Sequence, residues 1–111
     1  MAKINRGRPV EAAAKPAEQD LFHGTFQVTG TPAAITDRKC STIALFPNDQ
    51  NQGTIYIGSN TDVNGLALTN DNGFPLPIGG IVFGANQSES KVQIYALGTN
   101  PGDTIRFIGV Y

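Results

Sequence analysis

At 111 residues and a net charge of -1, the chain suits one domain with a tail, and no global field would draw it onto nucleic acid or a membrane. Charged residues are 15% of the total, below the ~25% usual for soluble domains, and 13 glycines with 7 prolines supply many turns, which points to an all-β domain. One Cys excludes an intrachain disulfide, one His with no Trp excludes most familiar active sites, and no apolar run is long enough to span a bilayer.

Residues 1–20 form a segment apart. Lys3, Arg6, Arg8 and Lys15 stand against Glu11, Glu18 and Asp20, and Ile4 and Val10 are the only large apolar residues after Met1. Such a segment buries too little surface to order itself. It reads either as a disordered tail or as an arm that orders on a partner, basic at its tip, with Ile4 and Val10 as anchors. The tip lacks an aromatic platform, so nucleic acid is not an expected partner. The segment also lacks the apolar stretch of a signal peptide, so a cytosol-like compartment is expected.

The globular part is expected over 21–111. Phe22, Gly24, Phe26 and Val28 alternate with polar residues, as a strand with one buried face requires, and His23 falls on the polar side. Pro32 restricts 32–35 to a sheet edge. The run 39–46 reads as the next strand, with Cys40 as a small core hydrophobe. A polar loop follows, and then Gly53-Thr54-Ile55-Tyr56-Ile57-Gly58-Ser59-Asn60, which alternates most clearly of all. The two runs are expected to form an antiparallel hairpin.

A loop at 61–65, a short extended run at 66–69 and a turn at 70–73 come next. Pro75 and Pro77 make 74–80 an extended edge or corner. Strands are expected at 81–83, 91–97 and 104–111, with turns at 86–90 and 98–103 between them. The last strand is apolar on both faces: Ile105 and Phe107 on one, Ile108 and Val110 on the other. One of those faces is therefore free to meet a second subunit. Phe26, Ile55, Tyr56, Phe83 and Tyr95 are the remaining candidates for core or interface, and Tyr56, Tyr95, Ile108 and Val110 are the candidate subunit contacts.

Catalysis needs grouped acids, bases or nucleophiles. Asp37, Asp49, Asp62, Asp71, Glu89 and Asp103 all fall in expected turns or at strand ends, where Asp suits the local backbone. The stretches 62–65 and 70–73 lack the ligand periodicity and closing Glu of a calcium loop. The glycines form no phosphate-binding motif. A binding or structural module is expected rather than an enzyme, with no catalytic residue, cofactor or metal.

Several motifs together resemble small β-structured virion proteins of tailed bacteriophages. They are Lys39-Cys40-Ser41-Thr42-Ile43, Phe46-Pro47-Asn48, Gly53-Thr54-Ile55-Tyr56-Ile57-Gly58, Gly73-Phe74-Pro75-Leu76-Pro77-Ile78-Gly79-Gly80, Ile94-Tyr95-Ala96-Leu97-Gly98 and Gly102-Asp103-Thr104-Ile105-Arg106-Phe107-Ile108. Pro77 stands one place earlier than in the commoner spelling. The resemblance covers about 39–111 and implies a small antiparallel β-sandwich, a jelly-roll-like barrel, with an extended N-terminal arm.

The function implied is capsid decoration, or cement: binding the major capsid protein at capsomer junctions on the virion surface after synthesis in the host cytoplasm. The arm residues Lys3, Ile4, Arg6, Arg8 and Val10 would serve as anchor, and the protein would be a homo-oligomer, a trimer or dimer, with no membrane partner. The alternative is a tail, baseplate or fibre component that recognises host glycan through the amide-rich loops 48–51, 60–64 and 70–72.

Overall fold

The computed structural model describes residues 20–84 and 91–111. Eight strands follow in order: β1 (Leu21–Gln27), β2 (Ala33–Ala34), β3 (Thr42–Pro47), β4 (Ile55–Gly58), β5 (Phe74–Pro75), β6 (Ile81–Gly84), β7 (Tyr95–Gly98) and β8 (Thr104–Val110). No helix occurs among the described residues. Residues 1–19, with every arm position named above, and the turn at 86–90 with Glu89 lie outside the described set.

The strands form two four-stranded sheets, ordered β1-β8-β3-β6 and β2-β7-β4-β5. Four antiparallel pairs nest inside one another: β1 with β8, β2 with β7, β3 with β6 and β4 with β5. The chain is thus one long hairpin with its tip between β4 and β5. Rolling that hairpin brings β8 beside β3 and β7 beside β4 and closes the sandwich. Eight strands in this order make the double-sheet jelly roll.

The expected hairpin between 39–46 and 53–60 does not form. β3 and β4 lie in different sheets. Ile43 and Leu45 on β3 and Ile55 and Ile57 on β4 each need an apolar cover, and all four belong to the core cluster. They obtain that cover by facing one another across the ~10 Å between stacked sheets, so the polar loop 48–54 crosses over instead of turning back.

Smaller departures have similar causes. Ala67 makes only an isolated bridge to Thr61, and Val92 only one to Cys40, so 66–69 is not a strand and β7 begins at Tyr95. β2 and β5, each beside or containing proline, lie at the two edges of their sheet, as missing donors require.

Inward-facing side chains form a single core. Ile43, Leu45, Ile57, Ile105, Val28 and Cys40 are its largest fully buried members, and each large aliphatic there contributes about 1.5–3 kcal/mol by leaving water. Phe22, Phe26 and Phe83 pack against it. The outward face of β4 and β7 has a local cover: Leu68, buried among exposed loop residues, lies over Gly58 and Gly73.

Candidate functional site

The ends, faces and open edge of this sandwich offer different chemistry. At one end the loops 28–32, 48–54 and 99–103 are tied together by Asp103. Its Oδ1 accepts from the Gln52 N–H at 3.0 Å and the Asn100 side-chain amide at 2.9 Å, and its Oδ2 accepts from the Gly53 N–H at 2.8 Å. Burial works against the charged carboxylate. The Gln52, Asn100 and Gly53 donors outweigh it and hold the carboxyl below the usual range. The Thr99 hydroxyl, which accepts from the Thr54 N–H, adds a second tie.

Asp62 plays the equivalent part inside the tip loop. The Leu66 and Asn64 N–H groups hold its carboxyl below the usual range against the cost of burial, with the Asn72 amide adding to them. Asn72 also donates to the Ala67 carbonyl and accepts from the Thr69 N–H. Asn48 accepts from the Gln50 N–H, and Asn51 makes two bonds to the Thr104 backbone. Asn48, Asn51, Asp62 and Asn72 are thus engaged with the backbone or side chains of the protein itself. Among the described residues no three His, Cys, Asp or Glu side chains lie close enough to share a metal ion.

An apolar cleft of about 550 Å3 opens at the edge between β6 and β4–β5, lined by Ile57, Phe74, Ile81, Phe83, Val92 and Ile94 among others. Ser59 and Gln93 are its polar members, and the Gln93 amide already donates to the Thr36 carbonyl. The cleft therefore offers little to orient a polar ligand. Residues 85–90, which lie between β6 and Val92 in the sequence, are outside the described set.

The root of the N-terminal segment is fastened. The Tyr111 N–H donates to the Asp20 carbonyl, and Arg38 pairs with the Asp20 carboxylate at 3.0 Å while lying 3.7 Å over the Tyr111 ring. The Tyr111 hydroxyl donates to Asp37 at 3.2 Å, and its ring stacks on Phe22 at 4.2 Å. Burial and the Asp37 charge push the Tyr111 hydroxyl above its usual range. Whatever residues 1–19 do, they start from a fixed point at the corner of the β1–β8 pair.

A further exposed apolar surface is the outward face of the β1-β8-β3-β6 sheet. Register places His23, Ile108, Ala44 and Val82 in one row across it, with Leu21, Val110, Thr42 and Gly84 in the next. Thr25, Arg106 and Phe46 form the row on the other side. Leu21 is 67% exposed, Val82 63%, Ile108 46% and Phe46 39%.

The four candidate subunit contacts do not share a patch. Ile108 and Val110 belong to this face, whereas Tyr56 and Tyr95 lie half-buried on the outward face of the other sheet, near the tip loop. Alternation in 104–111 already signalled an apolar outward face. Leu21, Phe46 and Val82 gave no comparable signal, because their membership depends on which strands become neighbours. Comparison with family models, with curated proteins and with solved structures found no match to this chain.

Proposed function

We propose that this chain is a structural protein of a tailed-phage virion that decorates and braces the capsid. It binds the major capsid protein at capsomer junctions, with segment 1–20 as anchor. The observation that carries this reading is a jelly roll in which one sheet keeps apolar side chains of all four strands exposed on its outward face. The jelly roll also serves lectins and cupins, and fold alone does not choose among these. Here the lone His23 stands on an outward face and Asn48, Asn51 and Asn72 are engaged within the protein, which favours a protein-binding surface over a metal or sugar site.

The anchor would act by coupled folding and binding. Ordering the segment costs chain entropy, offset by burial of Ile4 and Val10 and by charge-assisted bonds from Arg6 and Arg8. The test compares the full chain with a form lacking Met1–Gln19 on expanded, DNA-free shells that lack this protein. Saturable binding at a fixed ratio to the capsid subunit, strongly weakened by the deletion while the melting curve stays in place, is the expected result. Equal binding by both forms would remove the anchor role, and no binding by the full chain would remove the decoration role.

A further inference from the structure

Resting on that shell-binding reading, we propose that the outward face of the β1-β8-β3-β6 sheet is the docking surface. Its partner is an apolar patch on the shell subunit that carries a carboxylate opposite Arg106, and not a second copy of this chain.

The apolar part of the surface is contiguous. Leu21 lies beside Val110, and Val110 is two residues along β8 from Ile108. Ile108 continues through Ala44 to Val82, and Phe46 follows Ala44 on β3. Adjacent strands are ~4.8 Å apart and alternate residues along a strand ~6.8 Å, so these side chains can meet one surface without a gap. Aliphatic side chains held out by a rigid sheet lose little entropy on docking, which favours association through them.

Charge selects the partner. The titratable side chains on this face are Arg106 and His23. Among the described residues the face carries no side-chain carboxylate: Asp37, Asp49, Asp62, Asp71 and Asp103 all lie in loops, and Asp20, beside the Leu21 corner, is already paired with Arg38. Among the described residues Arg106 forms no ion pair. Two copies meeting face to face would bring two guanidinium groups into the interface with no acid among the described residues of either face to receive them. A desolvated, unpaired charge costs several kcal/mol in order of magnitude. A partner bearing one Asp or Glu at that place converts the same group into a charge-assisted, bidentate contact.

The size of the surface explains why an arm is useful. Four strands with about six residues each give a footprint of roughly 15 by 20 Å, small against the ~800 Å2 per partner of a standard interface. Asp20 leaves the fold at the Leu21 corner of this face, so an arm that docks on the same shell subunit extends one continuous footprint.

The experiment uses full-length chains carrying Val82→Asp, Arg106→Glu or Arg106→Lys, with Val63→Asp on the tip loop as control. Each is checked by thermal melting, by sedimentation velocity alone, and by binding to the expanded DNA-free shells. The proposal expects an unchanged melting curve and a loss of about tenfold or more in shell affinity for Val82→Asp and Arg106→Glu. Arg106→Lys should lose less and Val63→Asp nothing. Face variants that bind as the parent does would overturn the docking face while leaving the decoration role intact. A parent dimer that Val82→Asp dissociates would give the face to a second copy and overturn the choice of partner. A parent that does not bind shells would overturn the decoration role, and this proposal with it.

Discussion

Asp103 is a carboxylate that does the work of several turn residues. It joins the loop after β3 to the turn before β8, and its three donors favour the charged form. Its folded pKa lies below that of the unfolded chain, ~3.9 for Asp. The unfolded state therefore takes up the proton first as pH falls. The stabilisation is complete above the unfolded value and is lost as pH drops through it towards the folded value. Asp62 has the same sign. The melting temperature should decline between about pH 5 and pH 2. Asp103→Asn places an amide against the Gly53 N–H, so it should lower the melting temperature at neutral pH and flatten that acid decline. Parallel acid slopes for parent and variant would contradict the role given to Asp103.

At the scale of elements, glycines decide where strands can start and how closely loops approach. Gly80, the residue before β6, has φ 88°. A Cβ there would run into the Phe46 ring and lie 2.9 Å from the Leu45 carbonyl oxygen. Both the left-handed backbone and the close approach require glycine. Gly80→Ala should cost about 1–3 kcal/mol, read as a lower denaturant midpoint with an unchanged slope, and Gly79→Ala, with open space around it, should cost much less. Equal costs at the two positions would show that neither constraint operates. Gly73 is the other close approach, since it lets the tip loop lie against Tyr56 and Leu68.

The pieces of this fold that were legible in the sequence are those that depend on near neighbours. Alternation identified the buried faces of β1, β4 and β8, and prolines placed β2 and β5 at edges. Pairing was less legible. The run 39–46 followed by a loop and 53–60 has the local appearance of a hairpin, yet β3 pairs with β8 and β6. Of the candidate site, the outward apolar positions of β8 were visible, whereas the clasp of Asp20, Arg38 and Tyr111 joins residues from distant parts of the chain and has no local signal.

The whole molecule is a long hairpin rolled once, so its most distant segments are its closest partners. Leu21 lies opposite Val110, and β8 sits between β1 and β3. Closing such contacts costs loop entropy before they return any stabilisation, which slows folding relative to local topologies. Refolding from denaturant should take about milliseconds to seconds, measured by stopped-flow tyrosine fluorescence. Complete recovery within microseconds would be inconsistent with β8 having to find β1 and β3.

By itself the sequence determined the class of structure. Period-two alternation, few charges and frequent turn-formers allow little except short antiparallel strands around one core, and they exclude helices from the described part. It also determined which side of most strands faces inward, because a side chain's face follows from its position in a two-residue repeat. Only the tertiary structure decided which strands share a sheet, because alternation marks a buried face without saying what covers it. That decision brought Leu21, Phe46, Val82 and Ile108 together with Arg106 on one surface, and it placed Tyr56 and Tyr95 on the other sheet. A surface assembled from four strands belongs to no single stretch of chain, and the order of the strands is what creates it.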